Sequence, residues 1–530
     1  MQSTSTSDRA FVLGLDGVPW EMLREWAADG SLPNFNRLFG EGAAGPLRST
    51  RPASTPLAWP SIATGVWPDK HGVYGFQRLT ADHRREMYTG DDVSRPSLWE
   101  MLTPAVVGNV PMTYPATELD GTMVTGMLTP ELNDRFTYPP SLRETIVEEI
   151  PDYTVGLFYE QYHDRKGEFL DALDAVVEKR RRLLSLLMRE EEWRLFFFVF
   201  TAPDRLQHLI WEKSQLRAHY RLLDTILGDV MRYVEEHGAT LYVVSDHGFG
   251  PIEKHASANT LLEEHGFLVR KSAATGGARS VLGRVGLTKA RFERVLGRFD
   301  LDLDAVAKRL PRSVVDSVAE HVPGNHALYD VNFSQTAAFV HGEGLVYVND
   351  VERFENGAVD PDRIPALKKR LTRLFEEYTD PETGDQVFEV VDGSEAYPTD
   401  ERAPDLVVEP TPGYEIKGAL TDRVCVPSAV LEASHRPDGI FLAWGPDVAA
   451  GVEVEGATVV DVAPTLLHAA GEPIPEDADG RVLTEMFDPN SALASAEIRS
   501  TAYRQSAGDD STEDDFNGVE DRLRGLGYME

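Results

Sequence analysis

The sequence predicts a layered α/β fold, and three short apolar runs predict it: Ala10 to Leu15, Leu195 to Phe200 and Thr240 to Ser245. Each has strand length and β-rich composition, and each is followed at once by polar residues. Lys166 to Met188 and Leu216 to Glu236 have helical length and periodicity, which supplies the strand and helix alternation of such a fold. Catalytic groups in open α/β sheets often follow the carboxyl ends of strands. Here those ends release Asp16-Gly17, then PDRLQH, then DHGFG.

After His255 the texture changes to a basic segment, Val269 to Arg298, and then a mixed region to about Pro404, read as an inserted cap. Apolar strands return near Asp405 to Glu409 and Gly439 to Trp444, and Asp461 to Ala470 reads as a helix closing the core. The expected organisation is a flexible N-terminus (1–7), a discontinuous catalytic core (8–256 and 405–490), a cap (257–404) and an acidic, largely disordered tail (491–530). In that tail GDDSTEDDF is too poor in apolar residues to fold alone, while EDRLRGLGYM is long enough for a short docking helix.

At 530 residues the chain can bury a large core. Its formal net charge of −35, from 87 Asp and Glu against 52 Lys and Arg, repels nucleic acid backbones and anionic lipid surfaces. Neither class of partner is expected. So acidic a surface suits a protein kept soluble in concentrated salt, and a halophilic source is the favoured reading. The one cysteine, Cys425, excludes an intrachain disulfide and cysteine-cluster metal sites. No stretch approaches the roughly 20 apolar residues of a bilayer span, and the N-terminus lacks an apolar signal core, so the expected location is the cytoplasm. An acidic protein that handles phosphates must concentrate positive charge locally, and bound metal ions are the usual means.

A hydrolytic two-metal site needs several Asp and His side chains, because carboxylates and imidazoles together hold Zn²⁺ or Mn²⁺ while leaving positions open for substrate. Asp16 ends the first strand, Asp204 and His208 share a helix face at i, i+4, Asp246 and His247 follow the third strand, and His435 precedes a returning strand. Each alone has a plainer explanation, as a turn, a solvated helix face or a loop. Their joint occurrence at successive strand ends is what points to a site. For the nucleophile the segment RPASTPLAWPSIATGVWPDKHGVYGF offers Ser54, Thr55, Ser61 and Thr64, and chemistry alone does not choose among them. Ser61 and Thr64 also read as cap or helix-interior residues.

The order LDG, TPxxWPSIATGxxPxxHG, PDxxxH, SDHG and SHRPDG resembles the type I phosphodiesterase and nucleotide pyrophosphatase branch of the alkaline phosphatase superfamily over nearly the whole chain. NVPMTYP, GMLTP and DVAPTLLHAAGEPIPEDADGRVL resemble its predicted phosphohydrolase/phosphomutase group. The resemblance implies an alkaline-phosphatase-like core, with a largely parallel sheet between helices, and a phosphoryl hydrolase with two divalent ions per chain, zinc first and manganese second. By motif position it makes Thr55 the nucleophile. Asp16, Thr55, Asp246 and His247 would hold one ion, and Asp204, His208 and His435 the other. The implied reaction is in-line attack of Thr55 on phosphorus, cleaving a phosphodiester or pyrophosphate through a phospho-threonine that water then hydrolyses. The implied partner is a small-molecule phosphate ester such as a nucleotide or nucleotide-sugar; oligomeric state is left open.

One departure matters. Nucleotide pyrophosphatases place a phosphate-holding asparagine shortly after the HG of this segment, but His71-Gly72 is followed by Val73, Tyr74, Gly75 and Phe76. Lys70, Gln77 and Arg78 are the candidate substitutes. Phosphomonoester hydrolysis, or phosphomutase action on a sugar phosphate, is therefore the first rival, and a non-catalytic phosphate-ligand binder the second. Sulfatase action is disfavoured, because Thr55-Pro56-Leu57 cannot supply a formylglycine. Substrate choice is expected in the cap, where Arg270, Lys271, Arg279, Arg284 and Lys289 would hold a polyanionic leaving group or merely form a solvated face.

Overall fold

The computed structural model describes residues 8–157, 159–162, 164–190, 192–271, 330–502 and 516–524. Its centre is a ten-stranded sheet in the order Val452–Glu453, Ala43–Arg48, Asp438–Trp444, Thr240–Val244, Ala10–Leu15, Leu195–Phe200, Ala105–Val110, Gly121–Thr125 and Thr137–Tyr138, with Ala457–Thr458 also paired to Ala43–Arg48. The five strands from Thr240–Val244 to Gly121–Thr125 are parallel. The strand Asp438–Trp444 runs antiparallel to both its neighbours.

The middle strands AFVLGL and LFFFVF are buried along their whole length, as parallel strands covered on both faces must be. Alternation sends Phe11, Leu13, Leu15, Phe196, Phe198 and Phe200 to one face, where Trp20–Ala28, Pro33–Glu41, Lys166–Leu187 and Lys213–His237 cover them. Val12, Phe197 and Val199 face the other layer, built around Thr55–Thr64 and Val462–Ala469. At Gly14 a Cβ would lie 2.5 Å from the Trp59 ring, so only glycine lets that indole rest on the sheet.

The register of the three middle strands aligns their carboxyl ends. Leu15 pairs with Phe200 and Gly14 with Val244, so the residues that follow, Asp16, Thr201 and Ser245-Asp246, emerge at one edge.

A second sheet, in the order Ala338–His341, Leu345–Val348, Leu406–Pro410 and Phe388–Asp392, is antiparallel and packs with Ile364–Glu377 around its own hydrophobic cluster. The Leu406–Pro410 strand, expected to return to the central sheet, belongs here. Its apolar run suits either sheet, and pairing with Leu345–Val348 and Phe388–Asp392 decides between them. Arg279, Arg284 and Lys289 lie outside the described residues, while Arg270 Nε donates to Glu263 at 2.7 Å. One ten-residue strand, Gly248–Ser257, joins the two units. It pairs with Ala433–Arg436 at one end and with Gly413–Lys417 and Cys425–Pro427 at the other. The tail contributes a helix, Asn517–Arg524, whose Val519 and Leu523 are buried in the main core. No helix among the described residues is long and apolar enough to cross a membrane.

Candidate active site

Asp16 leaves its strand just before Gly17, whose φ of 74° suits glycine. The turn directs the Gly17 N–H to Asp246 Oδ1 at 3.1 Å, and Val18 N–H donates to Ser245 Oγ at 2.8 Å, so the first and third strand ends are stitched together. After the second strand the helix Ala202–Leu209 presents Asp204 and His208 one turn apart, and Gln207 between them donates to the Gly17 carbonyl at 2.7 Å. His435 comes from Ala433–Arg436, directly opposite Phe249 on the joining strand. Thr55 is the first residue of the helix Thr55–Thr64, at the helix end where the backbone dipole favours an anion.

All seven residues singled out in the sequence meet at one place. Thr55 Oγ1 lies 3.2 Å from His247 Nε2 and 3.5 Å from Asp16 Oδ1. His247 Nε2 lies 3.3 Å from Asp246 Oδ2 and 3.7 Å from Asp16 Oδ1. Asp204 Oδ1 is 3.4 Å from Nε2 of both His208 and His435, and the His247 and His435 ring centres are 4.0 Å apart. The donor atoms form two clusters compatible with a metal ion, Asp204 with His208 and His435, and Asp16 with Asp204 and His247, so Asp204 is common to both.

The other hydroxyls have structural partners. Ser61 Oγ donates to the Leu57 carbonyl and sits 3.0 Å from His71 Nε2, and Thr64 Oγ1 donates to the Pro60 carbonyl at 2.7 Å. Both are helix-interior residues, and Ser54 lines the adjoining cleft.

The electrostatics ask for a cation. His247 Nδ1 is 3.1 Å from the Gly248 carbonyl and His435 Nδ1 is 3.1 Å from the Ala53 carbonyl, and since a carbonyl only accepts, each ring donates through Nδ1. The His247 Nε2 lone pair then faces the Asp16 and Asp246 carboxylates, acceptor against acceptor, whereas burial pulls His435 down but its contact with Asp204, and then Glu343, outweigh it and raise its pKa. Asp246 Oδ2 is buried with no hydrogen-bond donor. Burial, and then the neighbouring Asp204, push the Asp246 carboxyl up to about 7, and burial with Asp246 and Asp204 raises Asp16 despite the Trp59 indole hydrogen bond. Burial and then His435 drive the His247 pKa well down, so the ring is neutral. Burial pushes Asp204 up, but His208, His435 and Arg205 together outweigh it and hold that carboxylate well below its ordinary range. Carboxylates and imidazoles converging in a buried pocket are the donor set of a divalent metal, so the residues fit the ions that the motifs imply.

A cleft between core and cap adjoins Ser54 and Pro56 and is lined on its far side by Arg85, His341, Glu343 and Lys417. Glu343 Oε2 approaches His435 Nδ1 to 3.8 Å, bringing the cap to the edge of the cluster. Of the three candidate substitutes for the missing asparagine, Lys70 is held 2.5 Å from Asp479 and Arg78 pairs with Glu86 and Asp92, whereas Gln77 lines the cleft. Sequence reasoning passed over Arg85, Lys417 and Glu343, which carry no local signal. It also passed over Trp59, whose indole N–H donates to Asp16 Oδ2 at 3.2 Å and whose i+4 spacing from Thr55 was there to be read.

A family model described as type I phosphodiesterase / nucleotide pyrophosphatase matches residues 10–436. The chain belongs to that family. Membership makes it a hydrolase acting on phosphoric ester bonds, with the alkaline-phosphatase-like fold. Human ectonucleotide pyrophosphatase/phosphodiesterase 5 is among the similar solved structures, at 10% identity and TM-score 0.52, covering 91% of this chain and 100% of that one. An inactive threonine-to-alanine variant of the murine protein, in complex with AMP, is similar at 11% identity and TM-score 0.50, covering 91% and 100%. No curated protein matches the sequence.

Proposed function

We propose that this family member cleaves phosphodiester or pyrophosphate bonds of small-molecule esters with Thr55 as nucleophile and two divalent ions as cofactors, zinc first and manganese second. The observation that carries the reading is the position of Thr55 Oγ1, at a helix N-terminus and within 3.5 Å of both Asp16 and His247. The ions, held by Asp16, Asp246 and His247 on one side and Asp204, His208 and His435 on the other, would favour the ionised hydroxyl and spread the phosphoryl charge. Thr55 Oγ1 forms a bond to phosphorus as the bond to the leaving oxygen breaks in line. Water then displaces the threonine oxygen, restoring the hydroxyl and releasing the phosphate product. The helix N-terminus orients the phosphoryl group, and Trp59 holds the Asp16 carboxylate. The murine relative, inactive as a threonine-to-alanine variant and solved with AMP, supports a nucleotide as one substrate class.

Arg85 and Lys417 in the cleft favour a second reading, monoester hydrolysis or phosphomutase action on a sugar phosphate, since a dianionic group is better held by two cations than by an apolar wall. Turnover of a nitrophenyl diester, a nitrophenyl monoester and a panel of nucleotides and sugar phosphates by zinc- or manganese-loaded protein separates the two. Diester or pyrophosphate turnover exceeding monoester turnover is expected. No turnover of any ester with either metal sinks both readings.

A further inference from the structure

A second cavity opens beside the helix that carries Asp204 and His208. Its other walls are Lys166–Leu187, the residues Val155, Gly156, Leu157 and Tyr159, and the C-terminal helix Asn517–Arg524. Three arginines from three separate helices reach it, Arg180, Arg205 and Arg522, and none of its lining residues among those described is acidic.

Arg180 is the decisive residue. Only 4% of it is exposed, its Nη2 donates to the Val155 carbonyl, and its guanidinium lies over the Tyr153 ring. Its Nη1 is buried without a hydrogen-bond partner. A buried N–H of a charged group left unmatched is costly, and native proteins keep few of them. Arg205, also buried, places Nη1 3.6 Å from Asp204 Oδ2, and Arg522 Nη2 donates to the Thr129 carbonyl at 2.7 Å. The three are close enough to feel one another. Burial, with Arg205 and Arg180, pulls Arg522 down to about 10 against the opposing pull of Tyr159.

We propose that this cavity is a second anion site, separate from the metal cluster, which takes a small phosphate-bearing molecule with Arg180 Nη1 as its anchoring donor. Guanidinium forks match tetrahedral phosphate oxygens better than a point anion, and the apolar remainder of the wall suits a compact organic portion. The ligand would meet the active site through Arg205, the immediate neighbour of Asp204.

Titration calorimetry of the metal-loaded full chain with inorganic phosphate tests the site without reference to turnover. Two classes of binding are expected, one at the metal cluster and one at the arginines. Arg180→Met should abolish the second class, and Arg522→Gln, on the terminal helix where folding is least at risk, should weaken it at least tenfold. Both should leave kcat on a nitrophenyl ester within about threefold, since neither residue touches the metal cluster. Phosphate isotherms that are the same for the unaltered chain and both variants would overturn the proposal.

Discussion

The metal cluster and the cap both bury carboxylates, and they answer that charge in opposite ways. In the cap, Asp380 Oδ2 accepts from Lys254 Nζ at 2.7 Å and Tyr414 Oη at 3.0 Å, and its Oδ1 accepts from Glu382 N–H. Burial pushes that carboxyl up, but these donors outweigh it and hold Asp380 below its ordinary pKa. In the core, Asp246 has one backbone donor on one oxygen, nothing on the other, and Asp204 close by, and it is pushed up to about 7. A carboxylate with its donors in place is structural. One left wanting a cation is chemical, and the contrast locates the working part of the molecule without reference to any relative.

The sharpest way to break this contrast is Thr55→Ala. Turnover of a preferred nitrophenyl ester should fall by roughly 10³-fold or more, with metal content and melting temperature nearly unchanged. Retained turnover would place the nucleophile elsewhere. Next in size is Asp204→Asn: because Asp204 belongs to both donor clusters, activity should drop by roughly 10²-fold or more, and elemental analysis should show fewer than the two divalent ions per chain expected of the unaltered protein. Full metal content in that variant would show that Asp204 is not shared.

The third prediction concerns pH. With metal removed, the folded chain keeps a proton on Asp246 that the unfolded chain releases, so between about pH 4 and pH 7 this group makes stability fall as pH rises. Melting temperatures of the chelated protein should decline across that window, and Asp246→Asn should flatten the decline. A profile of equal slope in both proteins would assign the effect to other groups. Asp380 works in the other direction, its contribution being present above the ordinary carboxylate pKa and lost as pH falls through its lowered value. Asp380→Asn should cost about 3 kcal/mol in denaturant unfolding and leave turnover per folded molecule almost unchanged. Smallest is Thr64→Ala, which removes one helix-interior hydrogen bond and should cost about 1 kcal/mol, with activity within about threefold.

Much of the site was legible because its residues follow apolar strands, where burial pattern and strand ends are local properties of the chain. Asp16, Asp246 and the Asp204 to His208 pair could be placed at one sheet edge before any geometry was known, although their register could not. Pairing is where the reading failed: Leu406–Pro410 has the composition of a core strand, and only contacts distant in sequence assign it to the cap sheet. Arg85 and Lys417 line one cleft from segments with no common motif. Arg180, Arg205 and Arg522 are more remote still, each an ordinary charged helix residue until the fold gathers them around one cavity.

The joining strand Gly248–Ser257 has a mechanical consequence. His247 directly precedes it, His435 lies across from its Phe249, and Lys417 of the cleft lies across from its Ser257. One backbone thus leaves the metal-ligand candidate His247 and, past a register shift between Ile252 and Lys254, enters the second unit, so core and cap are joined through a hydrogen-bonded strand rather than a loop. Its hydrogen bonds cannot lengthen by small steps without breaking a ladder. A shift of the cap along that line would therefore pull on the strand that begins at His247, and core and cap should move together there rather than hinge.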